Sequence, residues 1–168
     1  MEKVLGVLCL AALAGCSQGP PAPEAPRAQD AATDLKPLVE KLLAAWATLD
    51  VKNPAPFYAQ DAGLIFYDIA PLKYSGWADY AAGFQKVSAG WKSMKVSLNP
   101  DLQATRYGNI AWATYTATFE VEMKQGPGMK GEARTTDLFE KRGNDWIIIH
   151  EHVSAPLPDG PPSPPAKK

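Results

Sequence analysis

The chain has 168 residues, of which 46% are hydrophobic, two are Cys and two are His, and its net charge is −1. Lys and Arg are scattered without forming a stripe, which removes the electrostatic case for a nucleic-acid partner. No internal repeat divides the sequence, and the hydrophobic content suffices for one buried core in a stretch of ordinary domain size.

Residues 1–16 open with a short charged segment ending at Lys3, continue with an apolar run over 4–12, and close on Leu13-Ala14-Gly15-Cys16. This is the three-part pattern of a secretory signal. The apolar run is well short of the roughly 20 residues that span a bilayer. Leu-Ala-Gly-Cys resembles the lipobox of bacterial lipoproteins, which implies that Cys16 is acylated and becomes the mature N-terminus. The plainer alternative is an ordinary signal with an incidental cysteine. Each buried CH₂ of an acyl chain contributes about 0.8 kcal/mol, so two or more chains hold a protein durably on a membrane. Ser17 stands where Asp marks inner-membrane retention, so the resemblance implies a cell-envelope protein on the periplasmic side of an outer membrane, where the cell has one. Cys9 leaves with the signal, and the mature domain is expected to hold no disulfide and no cysteine ligand.

Residues 17–32 are rich in Pro and Ala and carry nothing periodic, as in an extended linker. Residues 156–168 repeat that composition around Pro161-Pro162-Ser163-Pro164-Pro165 and form a proline-rich tail with no core of its own. The domain is expected between them, over 33–155.

Within it, Leu35, Leu38, Val39, Leu42, Leu43, Trp46 and Leu49 recur at three- and four-residue steps behind Asp34, with Pro37 in the first turn. That spacing predicts an amphipathic helix. A short helix containing Phe57 and Tyr58 is expected after Asn53-Pro54, then a buried strand over 64–67, and a third helix over 79–87. From Lys95 onward the period shifts to two, predicting strands over 96–105, 109–123, 131–142 and 145–154. Turns at Tyr107-Gly108-Asn109, Gly126-Pro127-Gly128 and Arg142-Gly143-Asn144 separate them. Helices first and an antiparallel meander last define an α+β layer in which a curved sheet wraps one long N-terminal helix, with two shorter helices beside it. The open end of such a cone is a pocket.

Ala111-Trp112, Arg134-Thr135-Thr136, and Trp146 followed by His150-Glu151-His152-Val153-Ser154 resemble the closing half of SnoaL-like members of the NTF2-like superfamily. Tyr58-Ala59-Gln60-Asp61 and Tyr74-Ser75-Gly76-Trp77 fit the opening half. The closing motif is also similar to the association domain of calcium/calmodulin-dependent protein kinase II. The superfamily mixes isomerases, cyclases, scaffolds and binding modules, so the resemblance implies a fold more than an activity.

Strict alternation on the last strand sets Trp146, Ile148, His150 and His152 on one face and Ile147, Ile149, Glu151 and Val153 on the other. The resemblance implies that the Glu151 face lines the cone together with Trp112, Thr114, Thr116 and Asp137. The histidines then lie on the convex face, around which a homodimer is expected. Two histidines without a third ligand do not make a zinc site, so no metal is expected, and no cofactor is implied. An acid in an apolar cone has a raised pKa and suits acid–base work, which makes Asp137, Glu151 and Asp68 candidates. Asp137 can instead pair with Arg134 or Arg106, and Asp68 can simply cap a turn. The hydroxyl of Tyr58 or Tyr67 can donate to a bound carbonyl.

Three functions remain open. One is an envelope module binding a small, mostly apolar molecule through Tyr58, Trp77, Trp112, Thr114, Thr116 and Glu151. Another is an isomerase- or cyclase-type enzyme with Asp137, Asp68 and Tyr67 as catalytic groups. The third is an oligomeric envelope scaffold with no small ligand, joined around Trp146, His150 and His152.

Overall fold

The computed structural model describes residues 34–156. The segments expected to be a signal and a linker, Cys16 with them, and nearly all of the proline-rich tail lie outside the described residues.

Helix α1 spans Lys36–Ala47 and begins with Pro37 in its first turn. Asp34 accepts the Lys36 N–H at 3.1 Å. Its buried face is Val39, Leu42 and Trp46, the apolar stripe predicted from the spacing. A single 3-10 turn at Ala55–Phe57 replaces the expected second helix. Strand β1 (Ile65–Tyr67) and the two-residue β2 (Tyr74–Ser75) follow. Helix α2 (Trp77–Ser88) is as long as α1 and buries Trp77, Tyr80 and Phe84.

The remaining strands are β3 (Trp91–Leu98), β4 (Gln103–Tyr107), β5 (Ile110–Met123), β6 (Met129–Arg142) and β7 (Asp145–Ser154). One seven-stranded sheet runs in the order β2-β1-β7-β6-β5-β3, and β4 shares the edge of β5 with β3. The sheet is mixed rather than wholly antiparallel, because β1 lies parallel to β7.

The predicted strand over 96–105 is two strands. Pro100, which has no N–H to give a ladder, interrupts them. Asp101 then takes the Thr116 N–H at 3.0 Å and the Thr116 hydroxyl at 2.8 Å, turning the chain along β5. Gly108 and Gly143 adopt φ of 59° and 64° in the two tight hairpins, a conformation that glycine takes without steric cost.

Register decides which side chains enter the cone. One row across the sheet is Ala104, Ala113, Asp137, Glu151 and Phe66, and it faces inward. The neighbouring row is Gln103, Thr114, Thr136, His152 and Tyr67, and it faces solvent. The core is dominated by rings from the two helices, the 3-10 turn's end and β2: Trp46 lies 4.6 Å from Phe84, Tyr58 stacks on Trp77 at 4.8 Å, and Tyr74 stacks on Tyr80 at 4.7 Å, centroid to centroid. With that volume taken, β5 contributes Ala111, Ala113 and Ala117 to the interior.

Candidate functional site

Asp137 on β6 and Glu151 on β7 are directly paired across the ladder, and both are almost wholly removed from solvent, at 0% and 3% exposure. Carboxyl groups in that position need donors, because an unpaired buried charge costs several kcal/mol or more. The helices bring them. Tyr58 donates to Glu151 Oε2 at 2.6 Å and Tyr80 donates to Oε1 at 2.5 Å. Trp46 Nε1–H donates in turn to the Tyr58 hydroxyl at 2.9 Å. From the sheet itself, Tyr115 donates to Asp137 Oδ2 at 2.9 Å.

Asp137 Oδ1 faces no donor among the described residues. Protonation resolves this, since a neutral Asp137 donates to Glu151. Burial, followed by the negative charge of Glu151, pushes Asp137 well above the usual carboxylate range. Burial also raises Glu151, to about 6, with the Asp68 charge adding to the rise and the bonds from Tyr58, Tyr80 and Asp137 opposing it. Both shifts run upward, so the pair keeps a proton to higher pH than two exposed carboxyls would. Burial and the neighbouring carboxylates push the hydroxyls of Tyr58, Tyr80 and Tyr115 well above their ordinary value, so they stay protonated as donors.

A cavity of about 380 Å³ opens above Glu151. Its walls are apolar and rich in rings, including Trp46, Phe84, Trp91 and Phe119, and its polar groups are few: Asp68, Tyr74, Tyr80, Tyr115, Thr135 and Glu151. Ile69, Val87 and Met129 line it near the surface, where they are 41–48% exposed. Asp68, just after β1, is raised by burial and accepts the adjacent Ile69 N–H at 2.7 Å.

The expected site divides accordingly. Glu151 and Asp68 line the cavity, whereas Asp137 supports Glu151 from behind and Tyr58 is a buried donor to it. Neither arginine partners Asp137: Tyr115 holds it, while Arg106 bonds to the Gly108 carbonyl at 2.8 Å. Trp77 is core, stacked on Tyr58.

Trp112, Thr114 and Thr116 do not line the cone. They alternate with the inward alanines of β5 and lie on the convex face, where Trp112 stacks on Tyr107. Tyr67 is likewise outside, edge-on to His150 and His152 at 5.6 Å, so it has no place in a catalytic set within the cone. His150 Nδ1 lies 2.7 Å from the Ile65 carbonyl oxygen and carries the proton there, since the carbonyl only accepts.

Strict alternation on β7 also fails, because a register shift opposite Leu138 and Phe139 inserts Ile149 as an unpaired residue. Ile148 and Trp146 therefore pack toward the core, and of the three residues expected around a convex interface only His150 and His152 lie there. Sequence reasoning missed Tyr80 and Tyr115. Their signal was a phenol at an inward position, because a buried hydroxyl needs a partner.

A curved, unclosed sheet folded over helices, with a cavity at its open end, defines the NTF2-like class. Within that class the chain belongs to the SnoaL-like domain family, whose model matches residues 35–158. An NTF2-like superfamily protein from Salmonella enterica serovar Typhimurium is similar, with a TM-score of 0.66 at 18% identity over 75% of this chain and 91% of that one. A protein named for the calcium/calmodulin-dependent protein kinase II association domain, from Xanthomonas campestris, gives 0.62 at 24% identity over 73% and 85%. One named for scytalone dehydratase, from Novosphingobium aromaticivorans, gives 0.65 at 6% identity over 73% and 82%. At these identities the likeness concerns the fold alone. No curated protein matches the chain.

Proposed function

We propose that the domain binds a small, mostly apolar molecule in the cone, with Glu151 and Tyr80 meeting its polar group. The observation that carries this reading is the cavity of about 380 Å³ with apolar walls and a buried carboxyl pair at its floor, the usual composition of a small-molecule site. Trp46 and Trp91 line it, so binding should be visible in tryptophan fluorescence. Titration of the full chain with naphthylmethanol should give a saturable change that disappears in Ala117→Trp, which fills the cavity. A change that never saturates, or that survives in a folded Ala117→Trp protein, rules the reading out.

A second reading is acid–base catalysis on a carbonyl compound. Glu151, raised to about 6, is poised near operating pH as a general base should be, and Tyr80 beside it can donate to a developing oxyanion. Some structural neighbours carry the names of a dehydratase and an aromatic ring hydroxylase. Deuterium exchange into tetralone, followed by NMR, tests it: catalysed exchange should vanish in Glu151→Gln. Exchange no faster than in buffer rejects it for this ketone class.

The lipobox-like Leu13-Ala14-Gly15-Cys16 supports an envelope lipoprotein that works at a membrane surface. In a bacterial host, Cys16→Ser should abolish incorporation of a labelled fatty acid and move the protein from the membrane to the soluble fraction. Equal labelling of both forms removes the anchor.

A further inference from the structure

The carboxyl groups at the floor of the cavity have no basic side chain beside them among the described residues. Among the described residues every charged side chain lining the cavity is acidic: Asp68 and Glu151 line it, and no described Lys, Arg or His does. The titratable groups facing Glu151 come from each packed element, namely Tyr58 after the 3-10 turn, Tyr80 on α2, Asp137 with Tyr115 behind it on β6 and β5, and Asp68 beyond β1. None of them can become a cation. Both histidines are on the outer face, at the rows of Tyr67 and Leu138.

A buried carboxylate held only by hydroxyl donors is stabilised further by an opposite charge at hydrogen-bond distance. Above it stand the rings of Trp46, Tyr80, Phe84 and Trp91, whose faces attract a cation and an apolar body alike. An anionic ligand would meet two carboxyl groups, and a neutral one would leave the charge uncompensated.

We propose that the cavity selects an amphiphilic amine, whose ammonium group donates to Glu151 and whose hydrocarbon body fills the ring-lined walls toward Val87 and Met129. This rests on the cavity being a binding site and names the class of molecule it takes. Asp137 is a positioning residue here: by keeping the shared proton it leaves the charge on Glu151, the member of the pair that lines the cavity.

The test compares three probes of one shape, naphthylmethylamine, naphthylmethanol and naphthoate, titrated against the full chain by tryptophan fluorescence. At neutral pH the amine should bind at least about tenfold more tightly than the alcohol, with naphthoate the weakest. The amine stays protonated at about pH 5, so loss of its advantage there reports the protonation of Glu151. Glu151→Gln should lose the same advantage at neutral pH while still binding the alcohol. An alcohol that binds as tightly as the amine overturns the charge selection and leaves the cavity reading standing. Tightest binding of naphthoate overturns it as well, and binding of none of the three overturns both.

Discussion

At the scale of single residues, the buried acid pair sets the sign of the pH dependence. The folded-state pKa of Glu151 is raised from an ordinary 4.5 to about 6, so the folded protein holds that proton at pH values where the unfolded chain has released it. The stability it confers is complete below about 4.5 and is lost as pH rises through about 6, a change of about 2 kcal/mol for a shift of this size. Asp137 is shifted in the same direction. The exposed acids Asp61, Asp101, Glu120 and Glu122 are lowered by hydrogen bonds and titrate below this window. Urea unfolding should therefore show the midpoint falling between about pH 4.5 and 7, and Glu151→Gln should flatten that slope. A midpoint that rises through the same window would place the proton elsewhere. Glu151 was legible in the sequence as a lone acid among the apolar residues of one strand face, and Asp137 through the family resemblance. Their donors were not, because Tyr80 and Tyr115 are separated from Glu151 by 71 and 36 positions and only the closed fold brings them near.

At the scale of elements, the pattern gave α1, α2 and the strands β5, β6 and β7, but it took a 3-10 turn for a helix, ran β3 and β4 together and misassigned two faces. On β5 the resemblance implied that Trp112, Thr114 and Thr116 face the interior, yet the helices have filled that space with rings, and the alanines fit where Trp112 would not. On β7 the period of two breaks at the unpaired Ile149, a bulge that re-aims every residue beyond it. Without it, Ile148 and Glu151 would lie on opposite faces. Both errors are properties of the assembled sheet, and no local propensity marks them. The same crowding yields a prediction for α2. Gly83 lies mid-helix, where Ala would ordinarily add about 1 kcal/mol. A Cβ there would overlap the ring of Tyr74, which is 2% exposed and stacked on Tyr80, so it cannot swing aside. Overpacking costs about 1–3 kcal/mol, and Gly83→Ala should lower the melting temperature in circular dichroism. An increase would mean that the Tyr74–Tyr80 stack yields.

At the scale of the molecule, the inner and outer faces of one sheet present different surfaces. The cavity lies within the cone, while the outer face presents Gln103, Thr114, Thr136, His152 and Tyr67 in a continuous exposed row across five strands. A shallow groove follows part of this row, with Asp101 and Arg134 beside it. A twofold contact here would bring Thr136 close to the axis and leave the cavity mouth, with Ile69, Val87 and Met129, free on the other side. Isologous contacts of this kind need about 800 Å² per partner to persist in solution, so the row and its neighbours on adjoining strands would have to be covered together. Light scattering on the full Cys16→Ser chain should then give twice the chain mass. Thr136→Arg, which sets like charges against each other across the axis, should give the monomer with its fluorescence response to naphthylmethanol intact. A single-chain mass for the unsubstituted face at tens of micromolar, roughly the range in which weak dimers form, would rule out the paired sheet. If the pair forms, two cones share one platform and each can face the membrane that an acylated Cys16 would hold them to.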